Sequence, residues 1–239
     1  MKEREKNTKT NLLYRQFRQA IIDLKKIHHY FWISCFLFFF IAFLGALLPP
    51  IFEQQIKELI IQLLEKTKNL NTIELIQFII ANNITSAFFG MMLGILLAVP
   101  PVIVIMTNGY LLGYVAKKSI EVESIFILWR LLPHGIFEIP AILISVALGI
   151  RLGFLCMYNC IITYNKKIKS TPLYLLMVLS VLFLPLALIV YCYYTFKDKK
   201  LKTQFYNNLI ISLRIFFLIV IPLLVIAGII EGLLIGLVN

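Results

Sequence analysis

The chain has 239 residues, of which 60% are hydrophobic and 15% charged, and its formal net charge is +11 at pH 7. Several apolar runs carry no formal charge and exceed the roughly 20 residues that a helix needs to cross a bilayer. This composition excludes a soluble domain. Because the Lys and Arg residues fall mostly in short segments between these runs, the positive charge favours a lipid surface and not nucleic acid.

Residues 1–28 form a basic segment with eight Lys or Arg residues against three acidic ones, which predicts a cytoplasmic N-terminus. The remaining residues, 29–239, are predicted to form a single transmembrane domain. An amphipathic helix is predicted within the basic segment, because apolar residues recur there at helical spacing: Leu13, Phe17, Ala20, Ile21 and Leu24. The pattern leaves two placements open, because the helix can lie on the inner leaflet or pack against the protein's own cytoplasmic loops.

The first crossing is predicted at residues 30–48, where Pro49 and Pro50 end the helix. Residues 51–76 combine an apolar stripe with interspersed charges and a slightly negative balance. They predict an amphipathic helix on the outer face. This segment is available to a partner or to lipid headgroups, or it only caps the bundle.

The run 75–116 is uncharged and far longer than one crossing, and Pro100 and Pro101 predict that this membrane element is kinked or broken. Lys117 and Lys118 then suggest a return to the cytoplasm. Residues 131–150 and 152–164 flank Arg151 and form either one long tilted helix or a re-entrant hairpin.

Residues 171–196 and 209–237 complete the predicted fold. This fold is an all-α polytopic transmembrane bundle of five or six membrane segments, at least one of them broken or re-entrant. Positive clusters flank the run 171–196 on both sides, and a single crossing cannot put both clusters in the cytoplasm. The topology after residue 118 is therefore left open.

Nine of the eleven glycines fall into four sets with a spacing of four residues, which puts a notch on one helical face. In lipid such notches let helix backbones approach and gain dispersion contacts. Each set therefore predicts packing within the bundle, with dimerisation as the alternative. The sets are Gly90 and Gly94, Gly109 and Gly113, Gly149 and Gly153, and Gly228, Gly232 and Gly236.

The segment 132–140 places two ionisable residues, His134 and Glu138, four positions apart among apolar neighbours. A carboxylate at mid-membrane costs roughly 2.5 to 3.5 kcal/mol, so something must offset that cost. Pro133 and Pro140 make a regular helix doubtful and predict a broken helix. The two side chains can satisfy freed backbone groups, form a proton relay or polar substrate site, or bind a metal. Two ligands are too few for a metal site, and we expect no metal or cofactor.

Five further polar residues stand out within the apolar runs. Arg151 and Glu231 each sit inside a glycine notch, where close helix approach could join them in an intramembrane ion pair. Snorkelling of Arg151 to the interface is the alternative. Asn82, Asn83 and Asn108 are expected to form interhelical hydrogen bonds.

Together these features resemble the stage II sporulation protein M family of bacterial and archaeal membrane proteins. The resemblance is concentrated in residues 82–153. It rests on Asn83, Gly90 and Gly94, on Asn108, Gly109 and Gly113, on Pro133, His134, Gly135, Glu138 and Pro140, on Gly149 and Gly153, and on Glu231 with Gly232. In endospore formers the family member acts with two peptidoglycan-degrading partners during engulfment, as part of a membrane-anchored complex. The resemblance implies a similar scaffold role here.

We therefore expect a noncatalytic scaffold in the cell membrane that anchors or organises envelope-remodelling partners. Its expected partners are the lipid bilayer, membrane or envelope proteins, and a second copy of the chain. The alternative is a transporter, channel or lipid-moving protein whose polar site lies in the broken helix 133–140. That alternative requires a water-accessible cavity at Glu138. An intramembrane hydrolase lacks a convincing nucleophile.

Overall fold

The computed structural model describes residues 2–48, 54, 58, 61–62, 65–96, 98–122, 132–167 and 198–238, and every element in these ranges is helical. Helix α1, Lys2–Leu24, continues through a 3-10 turn, Lys25–Ile27, into α2, His28–Leu47. Then come α3, Thr72–Met92, with a 3-10 turn at Leu93–Ile95, α4, Val99–Val122, and α5, Leu132–Lys167. Helix α6, Lys199–Ile215, continues through a π-helical turn, Phe216–Val220, into α7, Ile221–Val238.

Five helical stretches in the described part of the chain are long and apolar enough to cross a membrane. They are Leu12–Leu47, Thr72–Ile95, Val99–Val122, Gly135–Tyr158 and Lys199–Leu237. The predicted helical transmembrane bundle is therefore confirmed, but the set of crossings differs from the expected one. The run 75–116 supplies two crossings, and the run 171–196 lies outside the described residues.

The predicted break in the run 75–116 is confirmed, and it lies just before the two prolines. Ala98 has a φ of 63°, in the left-handed region, and its N–H donates to the carbonyl of Gly94 at 2.8 Å. Pro100 and Pro101 fall in the first turn of α4, where a helix tolerates proline because the first N–H groups have no partner within the helix. One short turn thus separates two full crossings.

Helix α5 is unbroken, which corrects the expectation of a broken helix at 133–140. Pro133 lies in its first turn, while Pro140 lies inside the helix and removes one backbone hydrogen bond. The part of α5 that follows Pro140 is densely packed. The residues buried there against the surrounding helices are Ala141, Leu143 and Ile144 to Ile150. Dispersion contacts of this kind hold α5 as the central helix. Because α5 continues through Arg151, this part of the chain forms one long helix and not a re-entrant hairpin.

Contacts between helices give their directions. Helix α5 runs parallel to α3, since Ser145 bonds to Ala87 and Gly153 packs on Gly94, and antiparallel to α2, where Tyr30 meets Phe154. Helix α4 runs parallel to α2, because Gly109 packs between Phe38 and Ala42, and Gly113 packs one turn farther along both helices, between Ala42 and Ala46. Helix α7 runs antiparallel to α3: Gly228 packs on Ile80, Gly232 on Ile76, and Gly236 on Thr72. Three helices thus point one way and two the other.

This arrangement gathers the positive charge at one end, which we call the basic end. The basic end contains α1, the start of α2, the end of α5, and the whole of α6. Lys117 and Lys118 lie at the opposite end, which corrects the expectation that they return to the side of the N-terminus. Residues 48–74 and 117–131, which connect helices at that opposite end, carry six Lys or Arg residues and six Asp or Glu residues.

Candidate functional site

The glycine sets form three seams between helices. A Cβ placed on any glycine of these sets except Gly90 would come within 3.0 Å of a neighbouring helix. Gly94, Gly149 and Gly153 bring the backbones of α3 and α5 together, with Gly153 also against Ala98 in the turn before α4. The other two seams join α2 to α4 and α3 to α7. Such close backbone approach fixes how the helices around the site lie.

Helices α3 and α4 diverge from their shared turn at 96–98. Near the turn, Gly90 still contacts Val104 across the pair. Farther from the basic end, α3 follows α7 along its seam and α4 follows α2 along another. A gap therefore opens between α3 and α4, and α5 forms its floor.

A polar cavity occupies this gap, with a volume of about 70 Å³ available to the centres of water molecules. Its polar lining comes from Asn82, Asn83 and Ser86 of α3, Asn108 of α4 and Glu138 of α5. Asn82 and Ser86 are exposed, so the cavity is open on their side. At about 1.5 Å per residue, Asn82 lies roughly 15 Å along α3 from Thr72, which places the cavity at membrane depth.

Some atoms of the amide groups that line the cavity already form hydrogen bonds within the protein. The Nδ2 of Asn108 donates to the carbonyl of Val104 at 2.8 Å, which leaves its Oδ1 as the free end of the amide. The Nδ2 of Asn82 donates to Oδ1 of Asn83 over 3.4 Å, a long and weak bond. The lining therefore keeps oxygen acceptors on Asn82, Asn108 and Glu138, beside the amide nitrogen of Asn83 and the hydroxyl of Ser86.

Glu138 makes no hydrogen bond to another residue in the described part of the chain. The charge that acts on it electrostatically is a second carboxylate, Glu231 of α7. The helical backbone from Leu132 puts residue 134 on the same face, one turn from Glu138, but the side chain of His134 lies outside the described residues. The structure thus brings Asn83, Asn108 and Glu138 together, with Glu231 nearby.

Arg151 is not brought to Glu231. It lies toward the basic end, where its Nη2 donates to Oδ1 of Asn208 and its charge interacts with Tyr30 and Asp23. Its Nη1 is buried and has no hydrogen-bond partner among the residues that the structure describes. The ion pair that the glycine notches suggested is therefore absent from the described structure.

A second polar group, which we call the Asp23 cluster, ties α1 to α6. Asp23 is fully buried and accepts hydrogen bonds from Gln19 at 3.1 Å, Lys26 at 2.7 Å and Arg214 at 2.7 Å. In the sequence, Asp23 stands out only as one of the three acidic residues of the basic segment. Its partner Arg214 lies 191 positions away, and nothing in the local sequence signals the pairing.

Helix α1 packs on the bundle through part of its predicted apolar stripe. Ala20 and Asp23 are buried against the rest of the protein, and Leu24 packs on the core. Leu13, Phe17 and Ile21 are exposed. Contact of these three residues with the inner leaflet stays a prediction.

One polar lining residue, Ser86, was not among the expected polar residues. Its signal was present, because Asn82, Ser86 and Gly90 follow one another at intervals of four and so share a face of α3. Chemically, the cavity suits water or a small cation. Small-molecule sites usually measure about 300 to 1,000 Å³, and the described residues contain no group of three or more His, Cys, Asp or Glu able to hold a metal.

Comparison with known proteins agrees with the resemblance found in the sequence. The profile of the family described as Stage II sporulation protein M matches residues 33–235. An uncharacterized protein of Methanocaldococcus jannaschii is 31% identical over 168 residues, which cover 68% of this chain and 72% of that protein. No solved structure matches. Since the matched range runs from α2 into α7 and includes every residue of the polar cavity, the chain belongs to the stage II sporulation protein M family.

Proposed function

We propose that this protein is a noncatalytic integral membrane scaffold that anchors or organises envelope-remodelling partners. The observation that carries the proposal is the interlocked bundle. Helix backbones meet along three glycine seams, and the polar cavity between them is too small for an organic substrate. Membership of the stage II sporulation protein M family supports a role at the cell envelope.

The transporter alternative is not favoured. It requires a water-accessible cavity at Glu138, and a cavity does lie there, but its volume of about 70 Å³ is well below that of a small-molecule site. Alternating access also needs helices that can move past one another. The seams at Gly94, Gly149 and Gly153 join α3 and α5 backbone to backbone, which opposes such movement.

The scaffold is proposed to lie in the cell membrane with its basic end in the cytoplasm. Cytoplasmic connections carry an excess of Lys and Arg. Nearly all the net positive charge lies at the basic end, while the connections at the opposite end are balanced. This orientation puts the N-terminus inside and residues 48–74 outside.

An aromatic face on α2 is the surface proposed to receive a membrane partner. Trp32, Phe36, Phe39 and Phe43 recur at i, i+4, i+7 and i+11, the spacing of a helix-packing seam, and all are exposed. Phe36 stacks on Phe40, with ring centroids 6.0 Å apart. A stiff, flat face of this kind suits dispersion contacts with another transmembrane helix.

Site-specific photo-crosslinking in native membranes tests the proposal. We expect p-benzoylphenylalanine at Phe36 or Phe43 to give discrete protein adducts that mass spectrometry identifies as envelope proteins. Phe217, an exposed phenylalanine in the π-helical turn, is the matched control and should give lipid adducts alone. Lipid adducts alone at all three positions, or adducts only with a second copy of the chain, would contradict the proposal.

A further inference from the structure

The polar cavity concentrates oxygen atoms at a depth where the bilayer offers none. Its lining contributes the carboxylate of Glu138, the amides of Asn82, Asn83 and Asn108, and the hydroxyl of Ser86. The nitrogen of Asn108 is already used on the carbonyl of Val104, so its oxygen is the atom available to a ligand. Polar groups at this depth require partners.

The acidic group in the lining of the cavity is Glu138. It is without a hydrogen-bond partner among the described residues, and a second acidic residue, Glu231, lies within electrostatic range of it. The described side chains that line the cavity include no Lys, Arg or His. Two nearby carboxyl groups in a medium of low dielectric constant oppose each other's ionisation, and a cation beside Glu138 would stabilise its ionised form.

Size and ligand type narrow the choice of cation. A volume of about 70 Å³ leaves room for a few water molecules or one partly hydrated ion. Carboxylate and amide oxygens are hard ligands that suit alkali and alkaline-earth ions. A divalent ion usually takes several carboxylates, and no group of three or more acidic or other metal-binding residues occurs in the part of the chain that the structure describes. Of the two common alkali ions, the smaller Na⁺ approaches a carboxylate oxygen more closely than K⁺ and is therefore attracted more strongly.

The divergence of α3 from α4 supplies a path for the ion. The two helices are joined at the turn 96–98 near the basic end, and the gap between them widens toward the opposite end. Asn82 and Ser86 are exposed at the open side of the cavity. In the part of the chain that the structure describes, the cavity is therefore accessible to an ion on the side of Asn82 and Ser86.

We propose that the polar cavity binds one partly hydrated Na⁺ ion, held by Glu138, Asn108, Asn83 and Ser86. The bound ion stabilises the arrangement of α3, α4 and α5. This inference is independent of the scaffold proposal, because a scaffold and a transporter could each contain such a site.

Two measurements on the purified full-length protein in detergent test the inference. The first is thermal stability in NaCl, KCl and choline chloride at equal ionic strength and fixed pH. We expect the melting temperature to rise with Na⁺ in a saturable way, by about 5 °C or more at saturation, since a ligand that binds only the folded state stabilises it by mass action. The second is direct binding of radioactive sodium.

Matched variants locate the site. Glu138→Gln should abolish both the Na⁺-dependent rise in melting temperature and the binding of radioactive sodium. Ser86→Ala should weaken the affinity for Na⁺ several-fold in both measurements. Glu121→Gln changes an exposed carboxylate that pairs with Lys118 away from the cavity, and should leave both unchanged. If Glu138→Gln fails to fold, Ser86→Ala still tests the assignment.

Several results would overturn the inference. The first is that the melting temperatures in NaCl and in choline chloride are equal and that no radioactive sodium binds. This result is expected if a proton or a basic side chain of another protein fills the cavity. Another is a response to K⁺ that equals or exceeds the response to Na⁺. A third is an undiminished Na⁺ response in both Glu138→Gln and Ser86→Ala.

Discussion

The Asp23 cluster and the polar cavity each contain a carboxylate inside the bundle, but the two carboxylates differ in their hydrogen-bond partners. Asp23 accepts three hydrogen bonds, two of them from the cations Lys26 and Arg214. Glu138 has no such bond among the described residues, and its charged neighbour is Glu231. A buried carboxylate whose partners are all supplied by the chain has a structural role. A carboxylate that lacks such partners in the described part of the chain and lies near another acid indicates a site for something that the described residues do not provide.

The two regions also lie at different levels of the bundle. The Asp23 cluster lies at the basic end and joins α1 to α6, where charged groups can reach water. The polar cavity lies toward the opposite end, at membrane depth. The α3–α5 seam separates them, so each can be perturbed alone.

The largest expected effect is an all-or-none difference in labelling between the two ends. In a background without native cysteines, Lys9→Cys and Lys200→Cys should be protected from an impermeant thiol reagent in intact cells. Lys66→Cys and Lys118→Cys should be labelled, because the directions of the helices put them at the opposite end. Permeabilised cells, in which all four sites should react, provide the control. Labelling of Lys9→Cys in intact cells would show that the proposed orientation is inverted.

The seam between the two regions should give the largest change in stability. In Gly153→Ala the new Cβ would collide with the backbone of Gly94 and Ala98, which cannot move aside without shifting a helix. We expect a loss of about 3 kcal/mol or more, measured as a fall in the detergent melting temperature. Gly135→Ala is the matched control, since its Cβ would make only an ordinary contact with Ile139, and should not destabilise the protein. Equal melting temperatures for the two variants would mean that the seam does not hold the bundle.

Asp23→Asn tests whether the basic-end cluster is structural. The amide cannot neutralise Lys26 and Arg214, so we expect a loss of about 2 to 3 kcal/mol in the free energy of unfolding. Lys26→Met should cost less than about 1 kcal/mol, because the Lys26 side chain is 48% exposed and Arg214 still pairs with Asp23. An Asp23→Asn variant with parental stability would place this carboxylate in the same class as Glu138.

Much of this fold could be predicted from the sequence, because apolar runs of sufficient length must be helices in lipid. The number of crossings within the run 75–116 could not. A turn of three or four uncharged residues, with Ala98 in a left-handed conformation, suffices to reverse the chain, and no charge marks it. Missing that reversal put Lys117 and Lys118 at the wrong end.

The candidate site was predictable to a different degree in each region. Asn83, Asn108 and Glu138 stand out because polar residues are rare in apolar runs. Asp23 lies among other charged residues, so its burial is hidden, and its partner Arg214 comes from the far end of the chain. Pairing across the fold depends on helix directions, which the sequence did not reveal.

The smallest expected effect on stability is that of Glu138→Gln, which replaces a carboxylate by an amide as Asp23→Asn does. Unlike Asp23→Asn, it should not lower the free energy of unfolding. In Na⁺-free buffer, Glu138→Gln removes the repulsion from Glu231 and breaks no hydrogen bond to a described residue. We therefore expect a stability equal to that of the parent or up to about 1 kcal/mol higher, measured by melting in detergent. Glu138→Ala should be slightly less stable than Glu138→Gln, because it also removes packing atoms beside Ile142. A loss of 2 kcal/mol or more for Glu138→Gln under these conditions, matching the loss expected for Asp23→Asn, would mean that Glu138 is a paired structural carboxylate. The contrast between the two regions would then fail.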